Sequence, residues 1–189
     1  LIVHVNDSAD ASLFAETNET YKKLAKQFMP GPLTVILPKK DVIPDEVTGG
    51  LRTVAVRCPS NPIARELIRR SGVPIAAPSA NLSGKPSPTC AEHVMQDMDG
   101  RIAMVIDGGE CEIGLESTVI AVSGNSANVL RPGAVTPDML RSAGIAVTVD
   151  EAVTDPAKAG SAPQSPGMKY KHYAPKAELY LVEGGTAEL

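Results

Sequence analysis

Between Thr53 and Ala77 the chain carries a strand, a helix with both ends marked, and a second strand, and this unit limits the fold more than any other stretch. "TVAVR" (Thr53 to Arg57) is rich in β-branched residues and alternates as a strand does. Asn61 offers an N-cap, Pro62 suits the first helical turn, and Gly72 stands where a left-handed closing residue belongs. The helix between them feeds a strand from Pro74 to Ala77. Such a unit needs a sheet with helices packed on it.

The rest of the chain agrees. "LIVHV" at the start reads as a strand with His4 near its end. Tyr21, Leu24 and Phe28 recur at helical spacing from Glu19 to Phe28, and Pro30 and Gly31 stop that helix. "LTVIL" (Leu33 to Leu37) is a strand launched by the turn "PGP". Thr89 and Glu92 have capping-box spacing for a helix to about Met98. "IAMVI" (Ile102 to Ile106) predicts a strand ending in "DGG". "STVIAV" and "ANVLR", parted by "SGNS", predict a hairpin. Thr136 and Pro137 open a short helix that closes near Gly144. These elements predict an α/β domain with an open, twisted, mixed parallel and antiparallel sheet and flanking helices. It should occupy residues 1–150. A Pro-, Ala-, Gly- and Ser-rich linker follows over 151–176, and 177–189 would begin a second domain. A strand at the first residue, with no polar lead-in, suggests a fragment.

Composition excludes several classes. No run is long enough to span a membrane, and a net charge of −4 argues against a surface that binds polyanions everywhere. Cys58, Cys90 and Cys111 are odd in number and widely spaced, which suits a reducing cytoplasm better than a disulfide framework. Zinc spacing, a Walker loop and a nucleophile–base pairing are all missing. Polar residues instead gather where strands end, the usual ligand side of an open α/β sheet. Arg57 ends one strand, and Ser79 and Asn81 follow another within "PIAAPSANLSGKPSPT". Arg131 ends the second arm of the hairpin. A period of two puts Thr53, Ala55 and Arg57 on one face. Taken singly, each has an ordinary reading. Arg57 would serve as a solvated strand end, His4 as a core or edge histidine, and Ser117 as a strand opening.

In order along the chain, "PGPLTVIL", "TVAVRCP", "PIAAPSANLSGKPSPT", "GLESTVI", "LRPGAVT" and "SPGMKYKHYAP" resemble the YrdC-like threonylcarbamoyl-AMP synthase family. The resemblance covers Leu1 to about Pro175. The last motif is similar to the interdomain linker of the long, two-domain members.

The resemblance implies ATP-dependent synthesis of L-threonylcarbamoyladenylate from L-threonine, bicarbonate and ATP, with release of pyrophosphate, to modify tRNA. It implies a cytoplasmic enzyme using Mg²⁺ with its ATP, and downstream tRNA or threonylcarbamoyl-transfer partners. His4, Arg57, Ser117 and the backbone near Ala77 would match threonine-holding residues. Thr53, Ser79, Asn81, Ser87, Arg131 and His172 would surround ATP. Apart from the resemblance, Ser165 to Pro175 has a Pro-Gly turn, Met168, Tyr170 and Tyr173 for burial and Lys169, Lys171 and His172 for an anion, and is expected to fold back over the pocket mouth as a lid. Family members carry a Thr- and Tyr-containing segment and a Lys-x-Arg-Pro segment upstream of "LIVHV"; neither is in this chain. One rival reading is an RNA-binding module, double-stranded RNA included, although two Phe, four Tyr and no Trp make a poor stacking platform. Another is a carbamoyl-transfer relative, whose zinc-finger and acylphosphatase-like parts have no counterpart here.

Overall fold

Asn18 begins the first long helix by accepting the Tyr21 N–H at 2.8 Å. That helix, α1 (Glu19–Phe28), ends at extended Met29, whose neighbour Pro30 disfavours another helical residue. The computed structural model describes residues 1–154. In chain order its strands are β1 (Ile2–His4), β2 (Leu33–Pro38), β3 (Thr53–Arg57), β4 (Ile75–Ala77), β5 (Thr118–Ser123), β6 (Ser126–Arg131) and β7 (Ala146–Val149). After α1 the helices are α2 (Asp45–Thr48), α3 (Pro62–Ser71), α4 (Ala91–Met98), α5 (Pro137–Ser142) and α6 (Glu151–Thr154), with a 3-10 turn over Ser8–Leu13.

The strands form one mixed sheet of seven, ordered β4-β1-β3-β2-β5-β6-β7. β1 runs parallel to β3, β2 to β5 and β6 to β7; the other neighbours are antiparallel. Alternation gives the sheet two unlike faces. One carries Val3, Val35, Leu37, Val54, Val56 and Ile120, packed with Tyr21 and Leu24 of α1 and Leu140 of α5 in the main core. The other carries a smaller apolar patch of Ile36, Ala55, Val119 and Leu130, and the polar residues of interest lie beside it.

The marked helix behaves as its sequence predicts. Asn61 accepts from Ile63 and Ala64, both at 3.0 Å, and Gly72 closes α3 with φ +69°. The hairpin turns at Gly124 and Asn125, between paired Ser123 and Ser126.

Two expectations are corrected. Ile102 to Ile106 forms no strand, and Met104 is 75% exposed. Strand-forming side chains do not suffice without a ladder partner, and none of the seven described strands pairs with this segment. The capping box at Thr89 and Glu92 also fails. Cys90 is the N-cap and makes no side-chain cap bond, so Glu92 falls one position too early; the Thr89 N–H donates instead to His93 Nδ1 at 3.3 Å. The sequence reading did not find β7, α2, the 3-10 turn or α6, which falls at the start of the span expected to be linker.

Candidate functional site

Register brings the first polar row together. His4 pairs with Arg57, and Arg57 pairs on its other side with Thr34, so three side chains from β1, β3 and β2 stand abreast on one face. Thr34 is fully buried, and its hydroxyl lies 2.7 Å from that of Ser117, which is 2% exposed. Arg131 completes the row from β6. Its Nη2 donates to Ser117 Oγ and its Nε to the Ser117 carbonyl, each at 3.1 Å. A bulge helps to aim it: Val119 faces Arg131 and Ile120 faces Val129, leaving Leu130 as the extra residue.

Arg57 donates through Nε to the Gly31 carbonyl at 3.2 Å. Among the described residues neither Arg57 nor Arg131 forms an ion pair. Burial, then the Arg131 charge, pushes the Arg57 pKa down, whereas Cys111 and Cys58 act in the opposite sense. A buried Arg57 guanidinium whose charge its neighbour Arg131 disfavours, with donors to spare, makes a seat for an anion. Burial, then Arg57, likewise lowers the pKa of His4, so its imidazole is neutral at pH 7.

A cleft of about 580 Å³ opens beside this row. Arg57, Ser79, Ser87, Thr89, Cys111 and Glu116 supply its polar lining, and Ile113 and Leu115 part of its apolar wall. The polar loop after β4 therefore does reach the site, through Ser79 and Ser87. Its lysine does not: Lys85 pairs with Asp97 of α4. Asp97 also accepts the Leu82 N–H at 3.1 Å, so one carboxylate pins two points of the loop. Asn81 is turned inward as well. Its Nδ2 donates to the carbonyls of Leu82 and Lys85 at 3.0 Å each, and its buried Oδ1 has no partner among the described residues.

Other sequence candidates stand apart. Thr53 pairs with Pro38 at the opposite end of β3 from Arg57, roughly 13 Å away at the usual strand rise, and is not in the cleft lining. Ala77 pairs with Ile2, one alternation away from His4. His172, Ser165 and Tyr173 lie outside the described residues. Sequence reasoning missed Thr34, Glu116 and Asp97. The lone hydroxyl inside "LTVIL" was the available signal for Thr34, because a polar residue within a buried strand needs a partner.

The Sua5–YciO–YrdC family model, described as telomere recombination, matches residues 1–133. The chain belongs to this family. A second model, described as the C-terminal domain of threonylcarbamoyl-AMP synthase, matches residues 135–189. This YrdC-like chain is 50% identical to the threonylcarbamoyl-AMP synthase of Bacillus subtilis, over 100% of its own length and 54% of that protein. It is 48% identical to that of Pyrococcus abyssi, over 97% and 54%. The crystal structure of Pyrococcus abyssi Sua5 complexed with L-threonine superposes with a TM-score of 0.93 at 47% identity, covering 100% of this chain and 55% of that one. The chain thus spans about half the length of these relatives.

Two predictions arise from the geometry of this YrdC-like sheet and loop. Protonated His4 is disfavoured in the folded state, so the unfolded chain takes up the proton first. The stability contributed by neutral His4 is complete above the ordinary histidine value of about 6.5 and is lost as pH falls through the lowered folded value. Urea midpoints of wild type and His4→Gln should therefore converge between pH 7.5 and 5. Parallel curves would show that His4 does not titrate abnormally. Asp97→Ala should release the loop, speeding exchange of the Leu82 amide at least tenfold while leaving strand amides protected. Unchanged Leu82 protection would mean that the loop is held elsewhere.

Proposed function

We propose that the protein containing this chain condenses L-threonine, bicarbonate and ATP into L-threonylcarbamoyladenylate, releasing pyrophosphate. It is then a nucleotidyl-transferring enzyme of the cytoplasm whose product supplies tRNA modification. The observation that carries the reading is the pair Arg57 and Arg131, unpaired with carboxylates among the described residues and close enough to feel each other's charge, with Arg131 bound to Ser117 and Arg57 lining an open cleft. The fold match to a Sua5 structure complexed with L-threonine supports giving that seat an amino-acid carboxylate.

In this reading Arg57 holds the threonine carboxylate with its guanidinium fork. Neutral His4, beside it in register, offers the amine a neighbour that does not repel it. Thr34 fixes the Ser117 hydroxyl, and Ser117 with Arg131 borders the reacting end. The amine and bicarbonate give a carbamate, whose oxygen attacks the α-phosphate as pyrophosphate leaves. No protein nucleophile is required; orientation and charge neutralisation carry the catalysis. Ser79 and Ser87 supply small hydroxyl-bearing walls that let a nucleotide approach the backbone. Glu116 is the carboxylate in the cleft lining, so Mg²⁺ would ride mainly on the triphosphate and screen its charge there.

The domain division is part of the proposal: a catalytic unit over 1–150, a linker and lid over 151–176, and a second domain from 177. β7 continues the sheet beside β6, which supports ending the unit near 150. Pyrophosphate release by the full-length protein tests the reading. It should require threonine, bicarbonate and ATP together. Release that ignores threonine would sink it.

A further inference from the structure

The sequence separates Cys90 and Cys111 by twenty residues, but the fold sets their backbones side by side. The Cys111 N–H donates to the Thr89 carbonyl at 2.8 Å. In a planar trans peptide the Thr89 oxygen lies only about 2.8 Å from Cys90 Cα, and the Cys111 nitrogen lies about 1.5 Å from its own Cα, so the two α-carbons are at most about 7 Å apart. Disulfides need roughly 4.4–6.8 Å. Both thiols are free; Cys111 is exposed and lines the cleft, whereas Cys90 is half-buried, caps α4 and is absent from the lining. Cys58, by contrast, is buried.

We propose that Cys111 is a thiol-modification site inside the cleft and that Cys90 is its resolving partner. The reactant class is a low-molecular-weight disulfide, such as oxidised glutathione. The Cys111 thiolate attacks one sulfur; the external S–S bond breaks, a thiolate leaves, and a mixed disulfide forms at Cys111. The Cys90 thiolate then attacks the Cys111 sulfur, and the bond to the adduct breaks. A second small thiolate leaves as the Cys90–Cys111 bond forms. Overall, two protein thiols lose two protons and two electrons, and the external disulfide is reduced to two thiols.

The consequence follows from size and place. A glutathionyl group on Cys111 fills much of a cleft of about 580 Å³ next to Arg57. A bond between segments already joined by a backbone hydrogen bond moves little. Cys90 therefore clears the cleft that an adduct would block.

The binding arm of the test rests on the reading of the cleft as the threonine and ATP site; the chemical arm does not. The full-length protein and Cys90→Ser are treated with oxidised glutathione, mapped by peptide mass, and titrated with ATP and L-threonine before and after dithiothreitol. Wild type should yield a Cys90–Cys111 cross-link and keep its affinities within about twofold. The variant should stop at glutathione on Cys111 and lose at least tenfold, reversibly. A stable adduct on wild-type Cys111 would overturn the resolving role. Loss of binding by cross-linked wild type, or unchanged binding by the modified variant, would overturn the protective role. If reduced wild type bound neither ligand, the functional reading would fall while a mapped cross-link would still uphold the thiol chemistry.

Discussion

Arg57→Ala in the full-length protein should weaken L-threonine binding roughly 30- to 150-fold, the equivalent of about 2–3 kcal/mol for a lost charge-assisted pair. ATP affinity should change far less, because Ser79 and Ser87 line the cleft from a different segment. The fold should survive. The Arg57 side chain makes one hydrogen bond in the described structure, to the Gly31 carbonyl, and its removal relieves the repulsion from Arg131. Melting should shift by no more than about 3 °C. Arg57→Lys separates charge from shape: an ammonium restores a point charge without the planar fork, so it should recover only part of the loss. Calorimetric titration of both variants decides the matter. Threonine affinity unchanged in Arg57→Ala would remove Arg57 from the site.

Much of this frame was legible because its signals are local. Asn61, Pro62 and Gly72 act on backbone within a turn of themselves, and the helix they bound forms where they place it. The same holds for Thr136 and Pro137 in α5. Arg57, Arg131, Ser117 and His4 could be read as candidates because each sits at or beside a strand end. What failed depends on partners that a sequence does not name. "IAMVI" has strand composition, yet no strand runs beside it among the described residues. The Lys85–Asp97 pair, which ties down the loop whose Ser79 and Ser87 line the cleft, joins residues twelve apart and has no local signal. Thr53 shares the Arg57 face by alternation while standing at the opposite end of β3, since period fixes the face and not the distance along it. Cys90 and Cys111 become neighbours only through one hydrogen bond between loops.

Gly133 is a position where the site depends on a side chain being absent. A Cβ there would lie 2.6 Å from the Glu116 carbonyl oxygen, 2.7 Å from the Thr118 nitrogen and 2.8 Å from Thr118 Oγ1. None of these atoms ends a flexible chain that can swing aside. Thr118 is fully buried, its N–H donates to the Pro32 carbonyl at 2.9 Å, and its hydroxyl both donates to the Val135 carbonyl and accepts the Val135 N–H. Gly133→Ala must therefore push apart the segment after β6 and the start of β5. That movement strains the Thr118 bonds and displaces Ser117, through which Thr34 and Arg131 meet. Overpacking against backbone together with weakened buried hydrogen bonds should cost roughly 2–4 kcal/mol. At this chain length the melting temperature should fall by about 5–15 °C. Threonine binding should weaken even at temperatures where the variant is folded, because the Ser117–Arg131 contact is out of place. Ala134→Gly, one residue along, serves as a control for backbone freedom in the same turn and should leave the Ser117–Arg131 contact in place. A Gly133→Ala variant that melted with wild type and bound threonine normally would show that the β5 entrance has slack, and that close packing does not hold Ser117.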